Sequence, residues 1–108
     1  MRYLVTMELN DINSSPDPRE MATFIENVVL PSLGQLAQWE KAGTVRGGIL
    51  AGRRGQAFIV DVDSHEALGD LLRQLPIWSS CDIDVTPIES FEHRLEAGKQ
   101  MVQKARQA

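Results

Sequence analysis

The sequence predicts a ferredoxin-like α+β domain, in which a four-stranded antiparallel sheet carries two helices, followed by an extra C-terminal helix. Two observations predict this fold. The first strand alternates apolar and polar residues, and the elements after it complete a β-α-β-β-α-β order. The length of 108 residues suits one domain. We expect the ferredoxin-like domain to span residues 1–90 and the helical extension to span residues 91–108.

Residues 2–10 form the first predicted strand. One face of this strand is apolar and consists of Tyr3, Val5, Met7 and Leu9. Period-two alternation of this kind is typical of a half-buried strand. The following stretch, residues 11–18, is rich in Asp, Asn, Ser and Pro and predicts a loop.

The first helix is predicted to begin at Asp17, with Pro18 in the first helical position and Glu20 where a capping-box acid belongs. Pro31 lies well inside the apolar pattern. Because proline has no N–H to donate to the carbonyl four residues back, we expect the helix to bend there. It is predicted to end near Gly43.

The second half repeats the strand and helix signals. Residues 45–51 and 56–62 are predicted strands, joined by a tight hairpin over residues 52–55. Asp63 or Ser64 caps a second helix with a leucine stripe, and Pro76 stops it. Alternation over residues 82–86 predicts the last strand. A polar helix, with an apolar side that contains Phe91, Leu95 and Val102, follows from Ser90.

Composition narrows the classes of function. The chain has 11 Lys and Arg against 15 Asp and Glu, for a net charge of −4. This balance argues against partners such as duplex nucleic acid or an anionic membrane surface, which favour clustered basic residues. Cys81 is the single cysteine, so neither an intrachain disulfide nor a thiolate-ligated metal site is expected.

The N-terminal strand does not resemble a signal peptide, and no apolar run approaches the roughly 20 residues of a membrane span. We therefore expect a cytoplasmic protein.

The predicted sheet has one face that its own helices do not cover. Two helices cover a single face of a four-stranded sheet, and the other face carries Leu4, Thr6 and Glu8. A mixed face of this kind is often buried against another subunit, so we expect a homo-oligomer, either a dimer or a larger ring.

Several segments in the second half resemble the muconolactone delta-isomerase family. They are the Ala-Gly pair at residues 51–52, Phe-Ile-Val-Asp-Val-Asp-Ser at 58–64, Glu-Ala-Leu at 66–68, Leu-Leu-Arg-Gln-Leu-Pro-Ile-Trp at 71–78 and Asp-Ile-Asp-Val-Thr-Pro at 82–87. The turn at residues 74–78 and the segment at 82–87 carry the resemblance best, and the opening strand also fits.

The resemblance implies a dimeric α-β barrel scaffold in a ring, with no cofactor and with clefts between subunits. It also implies a proton shift on an unsaturated lactone during the breakdown of aromatic compounds. The sequence differs from the catabolic members in two strands. Leu4 stands in place of a first-strand histidine, and residues 44–48 read Thr-Val-Arg-Gly-Gly in place of a Trp-rich, His-containing strand.

A proton shift next to a carbonyl requires a group that takes a proton and returns it. Glu26, near the apolar stripe of the first helix, and His93, just after the last strand, are the predicted catalytic residues. The alternative for Glu26 is a solvated helix position, and for His93 the first turn of an exposed helix.

The developing enolate also requires a cation or N–H donors. Arg46, Trp78 and Asp82 are the predicted substrate-binding residues. The alternative for Arg46 is an ion pair with Glu8 across the sheet, and Trp78 can instead belong to the core.

The two arginines of the hairpin, Arg53 and Arg54, are expected to be solvated charges, and His65 a surface residue. The two histidines and the scattered acids show no metal-ligand spacing.

Three functions remain open at this level. The first is a cofactor-free isomerase or lyase that acts on a small unsaturated lactone or acid. The second is a non-catalytic small-molecule-binding or assembly module, which the missing histidine and aromatic residues favour. The third is a cofactor-less oxygenase on the same scaffold.

Overall fold

A four-stranded antiparallel sheet in the order β2-β3-β1-β4 organises the chain. The computed structural model describes residues 1–10 and 17–108. The strands are β1 Arg2–Leu9, β2 Val45–Ile49, β3 Gly55–Asp61 and β4 Cys81–Pro87. The helices are α1 Pro18–Phe24, α2 Leu30–Lys41, α3 His65–Leu72 and α4 Phe91–Gln107, with a π-helical segment Ile25–Val29 and a 3-10 turn Pro76–Ser80. The predicted ferredoxin-like α+β class with a C-terminal helix is confirmed.

The strand register separates a core face from an open face. On β1, Tyr3, Val5 and Met7 are buried. Their neighbours on β3 are also buried: Val60 lies opposite Tyr3, and Phe58 lies opposite Val5. The register places Leu4 opposite Ile59 on the open face, and both side chains are exposed. The alternation predicted for the first strand is therefore confirmed.

The two middle strands are displaced by one or two residues from their predicted ends. They run over Val45–Ile49 and Gly55–Asp61 instead of residues 45–51 and 56–62. Strands β2 and β3 approach each other very closely at Gly47, where a Cβ atom would lie 2.0 Å from the carbonyl oxygen of Ala57. Glycine is therefore required at this position of β2.

The first helix accommodates Pro31 with a wide turn. The N–H of Leu30 donates to the carbonyl of Ile25, five residues back, which defines the π-helical segment. The Ser32 hydroxyl donates to the Val28 carbonyl at 2.7 Å. The π-helical segment lies directly before Pro31, whereas the predicted bend of the helix axis stays a prediction. The helix ends at Lys41, near the predicted Gly43. The loop predicted over residues 11–18 falls mostly outside the described residues.

Ser64 is the cap of α3, since its hydroxyl accepts a hydrogen bond from the N–H of Ala67 at 3.1 Å. Leu68, Leu72 and Leu75 from the predicted leucine stripe join the buried core. The hydroxyl of Tyr3, also in the core, is hydrogen-bonded to Nδ1 of His65. His65 is thus an exposed residue with a structural contact rather than a plain surface residue.

The C-terminal helix α4 extends away from the rest of the molecule. It contains no buried residue, and within residues 1–10 and 17–108 it packs extensively against no other element. The radius of gyration is 18.6 Å, whereas a compact chain of this length has about 13 Å. The principal extents are 68 × 28 × 23 Å, as expected for a domain with a projecting helix. No helix in the described part of the chain is long and apolar enough to cross a membrane.

Candidate active site

A cleft of about 390 Å³ opens between the first helix and the β2–β3 hairpin. This volume lies within the range of small-molecule sites. Its walls are mainly apolar side chains from both sides, namely Leu9, Met21, Phe24, Ile25, Val29, Leu33, Ile49 and Ile77. The cleft exists because the π-helical segment and α2 lie over the sheet, and the hairpin extends beside them.

The polar groups of the cleft come from separate parts of the sequence. Glu20 belongs to the first turn of α1, Arg53 and Arg54 to the hairpin, and Gln56 to the start of β3. Asn10 follows β1. The cleft thus combines an apolar wall with one carboxylate, two guanidinium groups, two carboxamides and the hydroxyl of Ser32.

Gln56 is a buried polar residue in the cleft. It occupies the core face of β3, where Phe58 and Val60 follow at period two. Its Nε2 donates to Sδ of Met7 at 3.8 Å, a weak hydrogen bond. A buried amide that is held only weakly by the core is available to a bound ligand.

Arg53 is neutralised by a bidentate ion pair. Its Nε and Nη2 atoms donate to the two carboxylate oxygens of Glu8 at 2.6 and 2.8 Å. The hydrogen bond to Glu8, and secondly its charge, raise the pKa of Arg53 above its ordinary value. The guanidinium of Arg54 has no partner within the described ranges, so its charge is available to an anion. Arg53 is thus exposed, as expected, but it also binds Glu8.

The predicted catalytic residues lie outside this cleft. Glu26 is exposed on the π-helical segment, next to Ile25, which does line the cleft. His93 is exposed in the first turn of α4, where its backbone N–H donates to the Ser90 hydroxyl at 3.0 Å. Their roles stay predictions, and the π-helical segment that carries Glu26 makes no extensive contact with α4, which carries His93.

The predicted substrate-binding residues are also separate from one another. Arg46 on β2 and Asp82 on β4 share the open face, but they belong to opposite edge strands. From the strand spacing and register, they are about 14 Å apart across the sheet and about 13 Å apart along it. Trp78 is 40% exposed in the 3-10 turn and does not line this cleft.

The alternative of an Arg46–Glu8 ion pair is wrong, because Glu8 binds Arg53.

The sequence alone does not predict the residues of the cleft, although one of them is recognisable in the sequence as a possible site residue. Gln56 interrupts the apolar face of a strand, and a polar residue at a core position marks a site with a special partner. The sequence predicts Glu20 only as a capping acid, and it predicts the hairpin arginines as ordinary loop charges. Within residues 1–10 and 17–108, no three His, Cys, Asp or Glu side chains are grouped to hold a metal ion.

Comparison with known proteins agrees with the observed fold. Residues 1–94 match the family model described as muconolactone delta-isomerase. Among solved structures, the chain is similar to muconolactone isomerase, with a TM-score of 0.61 and 32% sequence identity. That similarity covers 83% of this chain and 90% of the other. No curated protein sequence gives a significant match. The chain therefore belongs to the muconolactone delta-isomerase family, as a protein of the muconolactone isomerase type.

Proposed function

We propose that the chain is a cofactor-free isomerase that shifts a proton on a small unsaturated lactone bearing a carboxylate, within the cleft beside α1. The observation that carries the proposal is the cleft itself. It places a carboxylate, an unpaired guanidinium and a buried amide around an apolar space of small-molecule size. Membership of the family supplies the reaction type.

The guanidinium of Arg54 is the proposed anchor for the substrate carboxylate. Arginine offers a planar pair of N–H donors that matches a carboxylate. Arg53 is already bound to Glu8, so it supplies less charge to a ligand than Arg54 does. The apolar wall would exclude water from the reacting carbons and strengthen this electrostatic contact.

Glu20 is the proposed proton carrier. Its carboxylate would take a proton from a carbon next to the unsaturated system, and the carboxylic acid so formed would return a proton at the other end of that system. The double bond moves, the atoms balance and no oxidant or reductant is consumed. The amide of Gln56 would donate a hydrogen bond to the oxygen on which negative charge develops.

A second copy of the chain is the proposed cover of the cleft. Met21, Ile25 and Ile49 line the cleft, yet all three are exposed, and Ile49 is 62% exposed. A neighbouring subunit on these side chains would bury apolar area and turn the cleft into a subunit interface. In such an assembly, Glu26 or His93 of a neighbour could also reach a cleft, as the sequence predicts.

The direct test is proton NMR of the purified protein with muconolactone in deuterated water. We expect enol-lactone to form with deuterium at the carbon that receives the proton. The Glu20→Gln variant should lose 10²- to 10⁴-fold in kcat, the usual contribution of a proton-transfer group. The Arg54→Met variant should chiefly raise KM, since it removes substrate binding.

Glu66→Gln is the matched control, because Glu66 also occupies a first helical turn but belongs to α3, away from the cleft. It should keep full activity. Loss of turnover in Glu26→Gln or His93→Ala, with Glu20→Gln fully active, would move the chemistry out of this cleft. Absence of any conversion, together with a ligand-dependent rise in Tm, would favour the non-catalytic binding module.

A further inference from the structure

The helix α4 carries an apolar stripe that nothing in its own chain covers. Phe91 is 97% exposed, and Leu95, Met101 and Val102 are all more than half exposed. At 100° per residue, Phe91, Leu95, Gly98, Val102 and Ala105 fall along one side of the helix. The helix α4 has 17 residues. A helix of this length is only marginally stable alone in water, and in proteins most of the stability of a helix comes from packing of its apolar face. The stripe is therefore open to a partner outside its own chain.

The charges of α4 are arranged for pairing with an antiparallel copy of the same helix. The segment 89–96 contains three acids and one base, whereas the segment 99–106 contains three bases and no acid. Glu92 and Arg106 lie on the same flank of the stripe, and neither has a partner in the described part of the chain. When two copies of α4 pair antiparallel, this flank of one helix faces the same flank of the other. Glu92 of one copy would then lie beside Arg106 of the second copy.

The side-chain sizes fit the same arrangement. Phe91 lies seven residues before Gly98, and Ala105 lies seven residues after it. A two-fold axis through Gly98 would place the largest side chain of the stripe against one of the smallest, at both ends. Nothing lies within 4 Å of a Cβ position at Gly98, and the absence of a side chain there allows two helices to cross closely.

We propose that α4 is a dimerisation arm that pairs antiparallel with α4 of a second copy, with Gly98 at the crossing point. The family model ends at residue 94, so most of this arm lies beyond the part of the chain that the family shares. The arm would link two isomerase domains without using the cleft beside α1. The inference therefore does not rest on the proposed catalytic function.

Cysteine cross-linking tests the crossing point. In a Cys81→Ala background, Gly98→Cys should form a disulfide-linked species of twice the 12.0 kDa chain mass under mild oxidation. The distance between Cα atoms at a close helix crossing suits a disulfide. Gln100→Cys, on the opposite side of α4, is the matched control and should cross-link at least tenfold more slowly. Equal or faster cross-linking through Gln100→Cys would overturn the proposal.

The orientation is tested with a mixture of Phe91→Cys and Ala105→Cys chains. Antiparallel pairing predicts a mixed disulfide between the two variants, whereas predominant Phe91→Cys homodimers would refute it. Efficient cross-linking of Gly98→Cys to Ile59→Cys on the open sheet face would also refute it, since α4 would then cover a sheet.

Charge reversal provides a readout that does not depend on disulfide chemistry. Glu92→Lys should increase the dimer dissociation constant several-fold in sedimentation, and the double variant with Arg106→Glu should restore it. Sedimentation as a monomer at high protein concentration, with α4 still helical by NMR, would overturn the proposal.

Discussion

Ser32 holds the first helix to the 3-10 turn, and its replacement by alanine should destabilise the fold measurably. The side chain is 0% exposed. Its hydroxyl donates to the Val28 carbonyl at 2.7 Å and accepts from the Ile77 N–H at 2.9 Å. The bond to Val28 is the contact with the carbonyl four residues back that a serine hydroxyl can make within a helix, and the bond from Ile77 joins that helix to the 3-10 turn.

The magnitude follows from the two bonds. Each hydrogen bond contributes about 1 kcal/mol net, and a buried N–H left without an acceptor costs about 1–3 kcal/mol. Ser32→Ala should therefore lower the free energy of unfolding by about 2–4 kcal/mol. A single domain has about 5–15 kcal/mol in total, so the loss is a large fraction of its stability.

Urea unfolding measures this loss. With a urea m-value of about 2 kcal/mol/M, in the middle of the range for small proteins, the midpoint should fall by roughly 1–2 M. Amide hydrogen exchange at Ile77 should accelerate more than exchange at amides elsewhere in the core, because its acceptor is gone. Ser79→Ala is the control in the same turn, where the side chain is exposed. A loss under about 0.5 kcal/mol, with exchange at Ile77 unchanged, would refute the reasoning.

Three further predictions follow from local geometry. Gly47→Ala should cost about 3 kcal/mol or more, because its Cβ would overlap the neighbouring strand, whereas Gly48→Ala has open space; equal effects in thermal unfolding would contradict this. Burial, and secondly the charge of its neighbour, raise the pKa of Cys81 from 9.0 to about 11. Alkylation at pH 8 should thus be roughly 100-fold slower in the folded than in the unfolded chain. The thiol's contribution to stability is fully present below pH 9 and falls as the pH rises towards 11; similar alkylation rates in both states would disprove the shift. Glu8→Gln breaks an exposed ion pair with Arg53 and should cost at most about 1 kcal/mol. It should also tighten binding of a carboxylate ligand in the cleft, because Arg53 regains an unneutralised charge; weaker binding by calorimetry would argue against the cleft.

The candidate site shows where local patterns stop being informative. The sequence shows Gln56 as a polar residue on an apolar strand face, but it gives no sign that the other cleft residues lie near Gln56. Glu20 and Arg54 are 34 positions apart in the chain, and each has an ordinary local role, one in a first helical turn and one in a hairpin. Only the packing of the helix over the hairpin brings them to one cleft. The sequence instead predicts Glu26 and His93 as the catalytic residues, and neither of them lines this cleft.

The sequence by itself determined the order and class of the elements. Alternation predicted β1, the proline predicted the irregular turn of the first helix, and short-range signals of this kind depend only on neighbouring residues. The tertiary structure decided which charges pair, as when Arg53 rather than Arg46 binds Glu8, 45 positions away. It also decided that α4 extends from the domain with its apolar stripe exposed. Spacing along the chain carries no information on such contacts, because strand register and helix packing bring together groups that are far apart in sequence.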